Sequence, residues 1–159
     1  MGKVNQIIFL ILIVFSLIFK AGIAISACTI NTSSIRFGNY DSFSSTSSDT
    51  AGTVTINCTS DVLKANLTLS QSSTSGSFNP RQMKRSGGAD LLNYNIYTDV
   101  ARTIIFGNGA GGTTDVGLKR PTGKPAPWSQ MIDIYGRIPP GQDIPVGSYS
   151  DTLTITIDW

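Results

Sequence analysis

The chain runs to 159 residues, with no histidine, twelve Lys and Arg, and ten acidic residues that are all Asp. Lys3 and Lys20 fall in an apolar N-terminal stretch; without them the charges balance, and the basic excess that a nucleic-acid binder carries is missing. The missing imidazole also removes the usual base of a hydrolase triad and leaves two cysteines at a spacing that matches no zinc site.

Residues 1–24 have the three parts of a secretory signal peptide: Lys3, an apolar core over residues 7–19, and small residues that place cleavage after Ala24 or Ser26. A membrane anchor competes with this reading, but the apolar core is short of the roughly 20 residues a spanning helix needs. Ile25-Ser26-Ala27-Cys28 also resembles the box before a lipid-modified cysteine, although Lys20 lies where that signal normally stays uncharged. Residues 25–159 show no repeat, linker or shift in composition, so one domain is expected, long enough to bury a core.

An exported chain with two cysteines is expected to join Cys28 to Cys58. Closing a loop of that length stabilises by roughly 3–4 kcal/mol in the chain-entropy account. If both cysteines lie on strands, the bond ties the first strand to the end of the second.

Helix periodicity is absent, and short alternating runs recur between Gly, Ser, Asn and Pro clusters. Residues 28–37 form the first predicted strand, and residues 38–51 a polar loop. Residues 53–58 form the second strand. Residues 63–70 form the third, with Leu63, Ala65, Leu67 and Leu69 on one face. After a polar loop come a short strand over residues 81–85 and a clear one over residues 91–97, where Leu92, Tyr94 and Ile96 share a face. A brief apolar run over residues 103–106 leads into a long Gly-rich loop, with room for a short strand over residues 116–119. Residues 131–138 form the next strand. The last run alternates best: Tyr149, Leu153, Ile155, Ile157 and Trp159 point one way, and Ser150, Thr152, Thr154, Thr156 and Asp158 the other. About seven to nine such strands predict an all-β, immunoglobulin-like sandwich. No further strand is expected after this run, so the question is what covers its edge.

Catalytic patterns are missing. No G-x-S-x-G or S-x-x-K occurs, and Asp99, Asp133, Asp151 and Asp158 are expected in solvated or turn-capping roles. Gly107-Asn108-Gly109-Ala110-Gly111-Gly112 matches a dinucleotide fingerprint in form, but no helix opens after it to hold a pyrophosphate. Arg81, Lys84 and Arg85, and then Lys119, Arg120 and Lys124, are expected in solvated loops, with contact to an acidic partner as the alternative. Trp128 is either a core residue or an exposed stacking platform.

Four motifs in order carry a resemblance. They are Cys28-Thr29-Ile30 with Ile35-Arg36-Phe37-Gly38-Asn39-Tyr40-Asp41; Arg81-Gln82-Met83 with Leu92-Asn93-Tyr94-Asn95-Ile96-Tyr97-Thr98-Asp99; Phe106-Gly107-Asn108-Gly109; and the run from Pro145 through Gly147 and Tyr149 to Ile157. On these the chain resembles the spore coat protein U family, which includes subunits of archaic (Csu-type) chaperone–usher pili. The resemblance implies an incomplete sandwich that lacks its last strand and is completed by a donor strand. The implied partners are a periplasmic chaperone, an outer-membrane usher and other pilus subunits, with no nucleic acid and no small-molecule cofactor. Ile30, Ile35 and Phe37 on the first strand, and Tyr149, Leu153, Ile155 and Ile157 on the last, would form the two lips of the donor-strand groove. The Trp159 carboxylate would anchor basic chaperone residues. At most Ile25, Ser26 and Ala27 separate the expected leader from Cys28, too few for a donor extension, so a terminal or minor subunit is expected. The alternative is a self-sufficient secreted binding module, for carbohydrate or surface adhesion, using the 107–127 loop with Trp128. An enzyme ranks third.

Overall fold

A computed structural model of the chain describes residues 27–123 and 127–159. The expected leader and Lys124 lie outside the described residues. Among the described residues nine antiparallel strands form: β1 (Cys28–Thr32), β2 (Ser48–Cys58), β3 (Lys64–Leu69), β4 (Arg81–Arg85), β5 (Leu91–Tyr97), β6 (Val116–Lys119), β7 (Trp128–Ile138), β8 (Tyr149–Ser150) and β9 (Ile155–Asp158). No helix occurs among the described residues.

Six strands form one sheet in the order β1-β2-β7-β5-β4-β8, and three form a second in the order β6-β3-β9. The spine of the larger sheet is β2 against β7, in register from Ser48 opposite Ile138 to Cys58 opposite Trp128. Both sheets turn apolar residues into one shared core. Val54, Ile56 and Ile138 enter it from the larger sheet, and Leu67 and Leu118 from the smaller; all five are fully or almost fully buried. Phe106, from the brief apolar run, plugs the core, and its backbone N–H donates to Ile96. Cys28 and Cys58 face each other at the ends of β1 and β2 and are disulfide-bonded, as the cysteine count predicts.

Five differences from the sequence expectation stand out. The first strand leaves the ladder after Thr32, short of the expected end at Phe37, where the apolar positions change parity between Ile30 and the pair Ile35 and Phe37. The second starts at Ser48, well inside the expected loop, because β7 offers it a partner along its whole length. The seventh starts at Trp128 for the same reason. The last strand splits: β8 pairs with β4 in the larger sheet, and β9 pairs with β3 in the smaller. Leu63, expected inward, precedes β3 and is mostly exposed.

Candidate functional site

The split of the last strand and the early exit of the first leave a long opening between the sheets. One cleft, of about 390 Å³, has Thr32 to Ile35 with Phe37 as one wall and Tyr149 to Leu153 with Ile155 as the other. Its floor is core: Leu69, Met83, Tyr94, Ile96 and Ile134. A second cleft, of about 500 Å³, adjoins it, sharing Met83 and Tyr149, and runs on between Tyr40 and residues 144–148.

The first wall is held by space made elsewhere. A Cβ on Gly52 would come within 3.0 Å of Ile35 Cγ1, and one on Gly136 within 2.7 Å of Phe37 Cζ. Glycine at both places lets the two apolar side chains press against the sheet. The Phe37 ring meets Tyr94 edge to face, with centroids 6.0 Å apart and planes at 73°. Side chains replace the lost ladder: Thr50 Oγ1 donates to the Arg36 carbonyl at 2.9 Å, and Ser48 Oγ to that of Phe37 at 3.4 Å. Further along, Tyr40 Oη donates to the Pro139 carbonyl at 3.0 Å and accepts from the Gln142 N–H at 2.9 Å.

The second wall is a strand changing sheets. At its start Tyr149 and Ser150 pair with Arg85 and Lys84. At its end Ile155 and Ile157 stand opposite Leu69 and Leu67. In between, Thr154 is bonded to Ser70, whose N–H donates to the Thr154 carbonyl at 2.9 Å and whose Oγ accepts from the Thr154 N–H at 3.0 Å. Successive residues of a strand direct their backbone groups to opposite sides. With Thr154 committed to Ser70, the backbone of Leu153 and Ile155 is directed toward the opening, where β9 is a sheet edge.

Of the residues expected to line a groove, Ile35, Phe37, Tyr149, Leu153 and Ile155 do line the first cleft. Ile30 and Ile157 pack against the core but line neither cleft. Trp159 follows β9, about half exposed.

Sequence reasoning missed two polar residues here. Asp151, expected in a solvated or turn-capping role, is half-buried in the cleft wall. Its Oδ2 accepts from Tyr94 Oη at 2.7 Å; its Oδ1 accepts from Ser73 Oγ at 2.7 Å, Thr74 Oγ1 at 3.5 Å and the Thr152 N–H at 2.8 Å. Burial pushes this carboxyl up, but bonds from Ser73, Tyr94 and the Thr152 backbone outweigh it and hold the group below the ordinary carboxylate value. Burial, with the bond to Asp151 added, pushes the Tyr94 phenol up. The signal for Asp151 was its place two residues from both Tyr149 and Leu153, on the inward-facing parity.

Arg81, expected in a solvated loop, is fully buried beneath the cleft on β4. Nη1 donates to Asn95 Oδ1 at 2.7 Å; Nη2 donates to the carbonyls of Ser70 and Phe106, each at 2.8 Å. The guanidinium also lies 5.4 Å from the centroid of the Phe78 ring. Burial lowers its pKa to about 10, the nearby Tyr94, Asp151 and Tyr97 opposing.

Trp128 and the Gly-rich stretch do not form the sites their sequences suggested. Trp128 is buried, with Nε1 donating to the Val62 carbonyl at 2.8 Å, so it offers no stacking face. In the Gly107–Gly112 stretch the Thr113 side chain occupies the place of a Gly107 Cβ, and no helix follows. Among the described residues no three His, Cys, Asp or Glu are placed to hold a metal.

A family model described as the Spore Coat Protein U domain matches residues 18–156. Among curated proteins, Protein U of Myxococcus xanthus is 40% identical over 78 residues, which is 48% of this chain and 39% of that protein. Among solved structures, one chain of the CsuC–CsuE chaperone–tip adhesion subunit pre-assembly complex, from the archaic chaperone–usher Csu pili of Acinetobacter baumannii, shares the fold. Its TM-score is 0.61 at 18% identity, over 85% of this chain and 40% of that one. The chain thus spans about two fifths of the length of each relative.

Proposed function

Because the chain belongs to the Spore Coat Protein U domain family, we propose that it is a structural subunit of a chaperone–usher type pilus or coat-like surface assembly. Its two adjoining clefts form one groove that accepts a donor strand. The carrying observation is the opening itself. Two sheet edges flank a floor of core side chains, and the wall residues Ile35, Phe37, Tyr149, Leu153 and Ile155 all turn apolar surface into it. An extended segment laid there gains main-chain hydrogen bonds along the Leu153–Ile155 edge and buries alternate side chains against the floor. Left empty, the same edge invites aggregation.

On this reading residues 25–159 act as one pilin-like domain. The donor comes first from a periplasmic chaperone and then, through an outer-membrane usher, from another subunit. The route runs through the periplasm to the cell surface. Ile30 and Ile157 support the lips from behind, and Trp159, beside the end of β9, meets basic residues of the chaperone. A terminal or minor position is supported by the few residues between the expected leader and Cys28, fewer than the five or six of an ordinary strand.

The test is periplasmic expression with and without the cognate chaperone, followed by mass measurement of the soluble protein. We expect a soluble 1:1 complex, and aggregation or degradation without the chaperone. A well-folded monomer made alone would overturn the proposal in favour of a self-sufficient secreted binding module.

A further inference from the structure

The groove is not uniformly apolar. Among the residues lining its two clefts, Asp151 alone is charged. It sits mid-wall, with apolar Tyr149 two residues before it and Leu153 two residues after, all three on the inward-facing parity. Its carboxylate forms no ion pair among the described residues. Oδ1 takes three bonds from its surroundings, whereas Oδ2 takes one, from Tyr94 Oη. Each carboxylate oxygen has two lone pairs, and Tyr94 Oη takes only one of those on Oδ2, so Oδ2 keeps one for another donor.

We infer that Asp151 selects the strand the groove accepts: the donor segment lays a hydrogen-bond-donating side chain over this carboxylate, between apolar residues two positions to either side. This rests on the strand-accepting reading above. The physical reason is the cost of covering a charge. A strand seated across the wall excludes water from Asp151, and a half-buried carboxylate that loses water without gaining a donor is destabilised more than an apolar contact returns. A hydroxyl, amide or ammonium at that position replaces the lost water. Leucine or valine there does not. The wall therefore reads the donor in two ways: apolar pockets set the alternation, and Asp151 sets the register, because a slip of two residues puts an apolar side chain on the carboxylate.

The experiment uses the full mature chain carrying a C-terminal Gly/Ser linker and a twelve-residue strand library, screened in the periplasm for soluble yield. Selected strands should alternate, with a Ser, Thr, Asn, Gln or Lys at one inward position flanked by apolar residues. Replacing that residue by Leu should lower the unfolding midpoint by about 5 °C or more. The drop should shrink in an Asp151→Asn background, where no charge is covered. In a Tyr94→Phe background, where Oδ2 loses its other donor, it should grow. The two variants are read separately, and each compares strands within one background, so a general loss of stability cancels. Selected strands that are apolar at every inward position, or a leucine penalty that neither variant changes, would sink this inference and leave the strand-accepting groove standing. A library in which no alternating strand outperforms the bare linker would overturn both.

Discussion

Arg81 ties the two sheets together from below the groove. It lies on β4 of the larger sheet, yet its guanidinium donates twice to the carbonyl of Ser70, the residue that follows β3 in the smaller one. Among the described residues no carboxylate pairs with it, and its donors go to carbonyl groups and Asn95. Removing it leaves the Ser70 and Phe106 carbonyls unpaired, together with a cavity. Arg81→Ala should therefore cost about 3–5 kcal/mol, read as a lowered midpoint in urea unfolding of the purified protein or its chaperone complex. Arg81→Lys should recover only part of this, since an ammonium cannot reproduce the planar fork. Alternation places Arg81 on the face of Met83, so its inward direction was legible in the sequence. Its burial was not, because arginine is seldom buried and its partners come from three other segments.

At the scale of elements, the lips of the groove exist because two strands fail to continue. Residues 33–37 alternate like a strand, but Ile35 and Phe37 gain more by packing over Gly52 and Gly136 than by extending the ladder. Gly136→Ala puts a methyl against the Phe37 ring and Thr50. It should destabilise by about 1–3 kcal/mol, as overpacking does. Gly117→Ala on β6 meets open space and should stay within about 0.5 kcal/mol of wild type. Thermal unfolding of the two variants side by side checks the difference, and a loss of chaperone binding specific to Gly136→Ala would place the damage at the lip. The final run was the clearest strand in the sequence, and its faces came out as the alternation requires. Its break over residues 151–154 is marked in the sequence only by Asp151 at an inward position, since Thr152 and Thr154 carry good strand propensity. The break follows from Ser70 and Ser73, which draw Thr154 and Asp151 toward the smaller sheet.

For the molecule as a whole, the disulfide matters because of where it sits. β1 is five residues long, lies at a sheet edge among the described residues, where it pairs with β2, and leads directly into the first wall of the groove. Replacing Cys28 and Cys58 together by Ser should cost roughly 3–4 kcal/mol, visible as a lower denaturant midpoint that reductant no longer changes. The sequence by itself determined the strand class, most of the strands, the pairing of the two cysteines and the family. Each of these is written locally, in period-two alternation, in a count of two thiols, or in short motifs kept in order. Only the tertiary structure decided where strands leave their ladders, which Asp faces the groove, and which Arg lies beneath it. Alternation says which side chains share a face, but not which distant strand supplies the space, the carbonyl or the hydroxyl that meets them.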